Sequence, residues 1–134
     1  MSNAKFDALT RDYHAKLRQN EIQEDGLRAE KRDLEKCQEE VWSIFPTILR
    51  DLDETQSELW SKNAPDDMQE LGMLTEQTHN NYREANHILE EEMDNIERRQ
   101  RALESEREQI ETDYRNSLTK LEEEEKKEKE MRYT

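Results

Sequence analysis

Histidine, cysteine and carboxylate side chains are the residues of this sequence that could carry chemistry. Three histidines, His14, His79 and His87, could ligate a metal ion, but no two of them are three or four positions apart, the spacing that places two ligands on one helical face. The single cysteine, Cys37, has no neighbouring histidine or basic cluster that would activate its thiol. We therefore predict no metal site and no reactive thiol, with the histidines exposed on helices and Cys37 beside a packed seam.

Carboxylates are abundant, with 35 Asp and Glu residues in the chain. A general acid or base needs a sheltered pocket that shifts its pKa, and long helices with little core offer almost none. Gly26 and Gly72 are the only glycines, so the sequence has no glycine-rich loop that could hold a phosphate. These features predict a protein that is not an enzyme and that has no catalytic residue and no cofactor.

The composition favours long helices over a compact domain that contains a sheet. Of 134 residues, 31% are hydrophobic and 42% are charged, and there are only 2 Gly and 2 Pro to form turns. The formal net charge of −14 argues against nucleic acid and anionic membrane surfaces as partners, because both attract basic proteins. The longest nearly apolar run, Val41 to Leu49, is too short and too polar to be inserted across a membrane.

The two ends of the chain differ from its middle. Residues 1–4 read as an expression scar or a disordered start, and they lack the basic and apolar stretches of a signal peptide, so a cytoplasmic protein is expected. Residues 122–134 are rich in Glu and Lys, and pairs such as Glu122 with Lys126 can keep this segment helical without a packing partner. We predict a charged, fraying helical end there.

Apolar residues recur at steps of three and four in both halves of the chain, which predicts two amphipathic helices. Pro65 ends the first helix, residues 61–67 form the turn, and Asp67 caps the second helix. A short turn returns the second helix alongside the first, so residues whose numbers sum to about 130 are expected to face each other to within about one turn. The predicted hairpin seam includes Leu27, Leu34, Leu89, Ile96, Leu103 and Ile110.

The predicted fold is therefore all-α, an elongated antiparallel helical hairpin, coiled-coil-like, over residues 5–121. Two residues could break its first helix. Pro46 lacks a backbone donor and crowds the preceding turn, and Gly26 costs about 1 kcal/mol relative to alanine in a helix. A pair of unbroken helices and a four-segment arrangement, with breaks near Gly26 and Pro46, both remain open.

A dense apolar stretch lies between Val41 and Trp60. The facing helix is expected to cover a seam of Val41, Phe45, Ile48 and Leu52 that continues to Thr55. Trp42, Ile44 and Leu49 are left on flanking faces. Large aromatic side chains dominate interface energetics, so we predict that the apolar turn end binds another helical protein or a second copy, and that the open end is charged. The alternative is that kinked segments fold back and bury these residues locally. The predicted partner interface consists of Val41, Trp42, Ile44, Phe45, Ile48, Leu49, Leu52, Leu59, Trp60, Met68 and Leu71.

An acidic helical hairpin with tryptophan near its turn resembles the WXG100-like proteins of bacterial type VII secretion. That family carries Trp-x-Gly in the turn and Tyr-x-x-x-Asp/Glu after the second helix. In this chain Trp60 is followed by Ser61 and Lys62, and Tyr114 is followed four positions later by Leu118. Because both motifs are missing, the chain is more similar to the motif-lacking helical accessory proteins encoded beside LXG toxins in Firmicutes.

This second resemblance covers most of the chain, from residues 6–9 through the Trp42 to Trp60 stretch to the Glu/Lys-rich end. It implies a non-enzymatic adaptor, or targeting chaperone, that binds the helical N-terminal domain of an LXG toxin for type VII secretion. A second small helical accessory protein is a further partner that it implies, and export together with the partner stays open. The alternative function is a self-assembling structural coiled coil, favoured by the persistent heptad spacing, with a homodimer as its simplest form.

Overall fold

The computed structural model describes residues 2–133 and consists of two helices packed against each other. Helix α1 spans Ser2–Lys62 and α2 spans Pro65–Tyr133, and no strand occurs in that range. The all-α helical hairpin is thus confirmed. Residues 2–4 belong to α1 instead of forming a disordered start, and α2 includes the charged segment up to Tyr133. Met1 and Thr134, which belong to the two predicted end segments, lie outside the described residues.

Helix α1 is unbroken at both positions where a break was considered. Pro46 lies inside α1 with an exposed side chain, so its ring projects into solvent, and the missing donor leaves only the Trp42 carbonyl without its helical partner. At Gly26 no heavy atom beyond its neighbours lies within 4 Å of the position that a Cβ would occupy. The next residue, Leu27, is 3% exposed, and its burial holds the helix together across the glycine.

The turn between the helices is shorter than the predicted segment 61–67. Asn63 adopts a left-handed conformation with φ of 52°, which asparagine tolerates better than most residues. Its backbone N–H donates to the Trp60 carbonyl at 3.3 Å, and the N–H of Ala64 donates to the Leu59 carbonyl at 3.4 Å. This pair of bonds is a Schellman motif, and it satisfies carbonyls at the end of α1.

The start of α2 also differs from the prediction that Asp67 is its cap. The carbonyl of Ala64 accepts the N–H of Met68 at 3.0 Å, so Ala64 is the N-cap and Pro65 is the first helical residue. Proline is favoured at that position because its missing donor would be unpaired there in any case. Asp66 and Asp67 instead lie in the first turn, where carboxylates interact favourably with the positive end of the helix dipole.

This two-residue turn sets the register of the hairpin. Two aromatic pairs stack between the helices, Tyr13 with Tyr114 and Phe45 with Tyr82. In each pair the two residue numbers sum to 127, whereas the predicted sum was about 130. The predicted register placed Tyr82 opposite Ile48, but Tyr82 stacks on Phe45 instead. The difference is about one helical turn, because fewer residues form the connection than expected.

The chain divides into two compact units. We call residues 29–96 the turn body, since they include the turn, and residues 1–28 with 97–134 the end body. In the end body, Leu27 and Leu103 are buried, and the Tyr13 and Tyr114 rings stack with centroids 4.0 Å apart. Asn20 is fully buried there; its Nδ2 donates to the Leu103 carbonyl at 2.9 Å, while its Oδ1 accepts no hydrogen bond from residues 2–133.

In the turn body, Leu71, Leu89 and Ile96 form the buried core. The inward row of α1 does not follow the predicted seam beyond Phe45. Leu49, which was predicted on a flanking face, is half-buried, whereas the predicted seam residue Ile48 is 40% exposed and Thr55 is exposed. After Phe45 the row takes a step of four instead of three, because a straight α-helix drifts relative to a strict heptad. The remaining seam predictions hold: Leu27, Leu89, Ile96 and Leu103 are buried, and Leu34 and Ile110 are half-buried.

Candidate protein-binding surface

Exposed apolar side chains are concentrated in the turn body. Among the described residues of the end body, three large hydrophobic residues are exposed, namely Ile22, Met131 and Tyr133, and the last two lie close to the end of α2. The turn body exposes a larger set on both of its helices. Large exposed apolar side chains that are concentrated in one part of a protein point to a site that binds other proteins. The exposed set of the turn body consists of Trp42, Ile44, Ile48, Trp60, Met73, Leu74 and Ile88.

The structure sorts the eleven predicted interface residues into three groups. Trp42, Ile44, Ile48 and Trp60 are exposed. Leu71 is buried at 9% exposure, so it belongs to the hairpin core and not to a free surface. The other six residues are half-buried, and Phe45 among them stacks on Tyr82 of α2. They are Val41, Phe45, Leu49, Leu52 and Leu59 on α1 and Met68 on α2. No folded-back segment covers the exposed group within residues 2–133, because α1 continues through Pro46.

Trp42 combines an exposed ring with a fixed orientation. Its side chain is 54% exposed, yet its indole Nε1 donates to the Oδ1 of Asn86 on α2 at 2.9 Å. A hydrogen bond across the two helices restricts the rotamers of the indole, so less conformational entropy is lost when a partner covers it. Trp60, at 74% exposure, is eighteen residues further along α1. Five helical turns separate the two tryptophans, so they lie on one face about 27 Å apart.

A groove lies beside Trp42, between α1 and α2. It encloses about 380 Å³, and Gln38 and Asn86 lie next to Trp42 in its wall. The rest of the lining comes from α2: Leu89, Glu90, Met93 and Asp94. The groove thus offers an aromatic face, two apolar side chains and two carboxylates to whatever enters it.

Ile44 and Ile48 form a second exposed flank on α1. They are one helical turn apart and lie on the same side of the helix. Ile44 is two positions from Trp42, which corresponds to a rotation of about 200° around the helix axis. The turn body therefore presents apolar side chains on both flanks of α1, and no helix within the described chain covers either of them.

The negative charge of the protein is also concentrated in the turn body. Residues 29–96 contain 18 acidic and 6 basic residues, a formal charge of −12, whereas the rest of the chain contains 17 acidic and 15 basic residues, a charge of −2. Most of the exposed apolar side chains and most of the excess negative charge therefore lie in the same unit, the turn body. The end body contains more charged side chains than the turn body, 32 against 24, but its positive and negative charges nearly cancel.

Residues with potential for other chemistry are dispersed. Across residues 2–133, no three His, Cys, Asp or Glu side chains are grouped so that they could hold a metal ion. The Nε2 atom of His87 is 2.9 Å from a carboxylate oxygen of Glu91, one turn along the same helix, and Cys37 is exposed. Neither α1 nor α2, over its described length, includes a segment apolar enough and long enough to cross a bilayer.

Sequence reasoning assigned no binding role to Asn86, Glu90 or Asp94. The signal that could have identified Asn86 is its position opposite Trp42, which follows only from the correct register of the two helices. Glu90 and Asp94 were two carboxylates among many, and only the groove distinguishes them. In comparisons with known proteins, the chain matches no family model, no curated protein and no solved structure.

Proposed function

We propose that this chain is a non-enzymatic adaptor that binds another helical protein through its turn body. The observation that supports the proposal most directly is Trp42, an exposed tryptophan held in one orientation by Asn86. Tryptophan is among the residue types that contribute most to protein interfaces. The exposed isoleucines Ile44 and Ile48 extend the apolar area beyond the tryptophan face.

The partner that we propose is the helical N-terminal domain of an LXG-type toxin. This choice rests on the resemblance to the motif-lacking accessory proteins of type VII secretion. The adaptor would bind the toxin in the bacterial cytoplasm and help to target it to the secretion apparatus. A hairpin with exposed apolar flanks suits this role, because each flank of α1 can receive a helix of the toxin domain.

Charge substitutions on the two flanks are expected to abolish partner capture. Ile44→Asp places a carboxylate in an apolar contact, where burial of an unpaired charge costs several kcal/mol. Trp42→Asp removes the indole, an aromatic side chain of the type whose truncation costs about 2 kcal/mol or more when it anchors an interface, which is a loss of the same order of magnitude. Because 1.4 kcal/mol corresponds to a factor of about ten in affinity, capture should fall by about a hundredfold or more. The measurement is co-purification of an LXG-type toxin N-terminal domain produced together with each variant, with helicity checked by circular dichroism.

Ile22→Asp is the matched control for Ile44→Asp. Ile22 is 57% exposed and Ile44 is 53% exposed, both lie on α1, and only Ile44 belongs to the turn body. The control should capture the toxin domain as well as the unaltered chain does. Undiminished capture by both turn-body variants would rule out the proposed surface.

Self-assembly as a structural coiled coil is the alternative function. It predicts that the protein in solution has the mass of a dimer or a larger assembly, whereas the adaptor proposal predicts the mass of a monomer. The heptad seam that favours it is used within one chain, where α1 packs on α2. The charge of −12 on the turn body also repels a second copy. We expect light scattering during size exclusion to give the monomer mass of 16.2 kDa over about a hundredfold range of concentration. A stable dimer would favour the alternative and remove the main reason for the adaptor proposal.

A further inference from the structure

We infer that the segment which docks on the turn body is a basic amphipathic helix, and that it inserts a Lys or Arg side chain into the groove beside Trp42. This inference rests on the proposed adaptor function and adds the chemistry of the partner. It follows from three features of the turn body: its charge, the lining of the groove and the spacing of the two tryptophans.

The charge of the turn body favours a basic partner over an acidic or neutral one. At −12 over residues 29–96, this unit generates a strongly negative potential, which speeds the approach of cations and repels acidic surfaces. A second copy of the chain would bring another −12 to the same surface. A partner helix with basic residues on either side of an apolar stripe would neutralise the acidic residues and cover the flank of α1 that carries Trp42 and Trp60.

The groove beside Trp42 provides contacts for each part of a Lys or Arg side chain. Leu89 and Met93 can pack against the methylene stem, and the half-exposed indole can receive the cation on its face. Glu90 and Asp94 lie one turn apart on α2 and line the same groove. Neither carboxylate forms an ion pair with a residue in the described part of the chain, so both are available to an incoming cation.

The geometry of the surface fits a helix better than an extended strand. The turn body consists of two packed helices with no strand edge among its residues, so a partner cannot add to a sheet. A helix that follows α1 can contact Trp42 and Trp60 together, since about 18 residues of helix cover the distance of about 27 Å between them. The apolar stripe of such a helix would face the exposed side chains of α1, and its basic residues would lie above α2.

The test uses two synthetic helical peptides of about 20 residues as probes. Both carry the same leucine stripe at steps of three and four, and the polar positions are lysine in one peptide and glutamate in the other. Binding to the full chain is measured by isothermal titration calorimetry and by the fluorescence of the two tryptophans. We expect the lysine peptide to bind at least tenfold more tightly than the glutamate peptide, and its affinity to fall as salt is added.

Substitutions in the groove show whether this binding is site-specific. The double variant Glu90→Lys with Asp94→Lys should weaken lysine-peptide binding about tenfold or more. Glu104→Lys with Glu108→Lys is the matched control, because it makes the same change of charge one turn apart on the same helix, beside a groove of the end body that contains Arg28 and Arg107. The control should change the affinity less than about threefold. The double variant Glu90→Gln with Asp94→Asn removes both charges with little change in side-chain size. Its loss of lysine-peptide affinity should lie between that of the groove lysine variant and that of the control.

Three outcomes would overturn the inference. The first is equal binding of the two peptides, and the second is an equal loss of binding in the groove variant and its control, which would indicate attraction by net charge alone. In the third outcome neither peptide binds while the toxin domain is still captured; the adaptor proposal then stands and the basic helix is wrong. If the lysine peptide binds as expected and the toxin domain is not captured, the inferred partner chemistry stands and the proposed toxin partner is wrong.

Discussion

Replacement of Ile96 by alanine is expected to lower the free energy of unfolding by about 2–4 kcal/mol, because truncation of a buried isoleucine removes its transfer free energy and leaves a cavity. Ile96 is 3% exposed and is one of five buried hydrophobic residues in residues 2–133. A typical domain is stable by only about 5–15 kcal/mol, so the loss is large in relation to the total. The measurement is urea denaturation followed by circular dichroism, with the midpoint and the slope both recorded.

Ile88→Ala is the control for this prediction. Ile88 lies eight residues earlier on α2, in the same turn body, but it is 52% exposed. Its truncation removes little buried area, so the change should stay within about 0.5 kcal/mol. A loss for Ile88→Ala as large as that for Ile96→Ala would mean that Ile88 is covered in solution, and this would contradict the exposed surface described above.

The second prediction with a large effect is a gain in stability, at Pro46. Pro46→Ala is expected to raise the free energy of unfolding by about 1–3 kcal/mol, since proline inside a helix costs about 3 kcal/mol and part of the gain is lost through the greater freedom of the unfolded alanine chain. The alanine N–H would restore the hydrogen bond to the Trp42 carbonyl. Thermal and urea denaturation of the two proteins provide the comparison.

Pro65→Ala tests the same substitution where proline suits the helix. Pro65 is the first residue of α2, so alanine there gains no useful hydrogen bond and makes the unfolded chain more flexible. We expect a small decrease in stability, of a few tenths of a kcal/mol to about 1 kcal/mol. A gain at Pro65 equal to that at Pro46 would show that the effect has nothing to do with position in the helix.

The helical hairpin could be predicted from the sequence because its signals are strong and local. Steps of three and four placed Leu27, Leu89, Ile96 and Leu103 in the seam, and all four are buried. The turn lies within the predicted segment 61–67, but it is two residues long instead of seven. That length depends on whether Asn63 adopts a left-handed conformation, and sequence spacing alone gives no measure of that preference.

The details of the surface were harder to predict than the fold. Ile48 was placed in the seam because a strict heptad requires it there, whereas the helix continues with its own period and turns Leu49 inward instead. An error of about one turn in the register also hid the hydrogen bond between Trp42 and Asn86, because that contact depends on the position of one helix relative to the other. The concentration of acidic residues in the turn body became apparent only when the structure defined that unit.

The two-residue turn also has a consequence for the order of folding. Contacts between α1 and α2 join residues that are increasingly distant in sequence as one moves away from the turn: 44 positions separate Trp42 from Asn86, 83 separate Asn20 from Leu103, and 104 separate Thr10 from Tyr114. Loop closure costs more entropy for larger separations, although each doubling adds only about 0.6 kcal/mol. The hairpin therefore closes most readily from the turn outwards, and each contact formed shortens the loop that the next one must close. Asn63 and Ala64, which have no part in the proposed binding surface, thus lie next to the place where contacts between the two helices close the shortest loops.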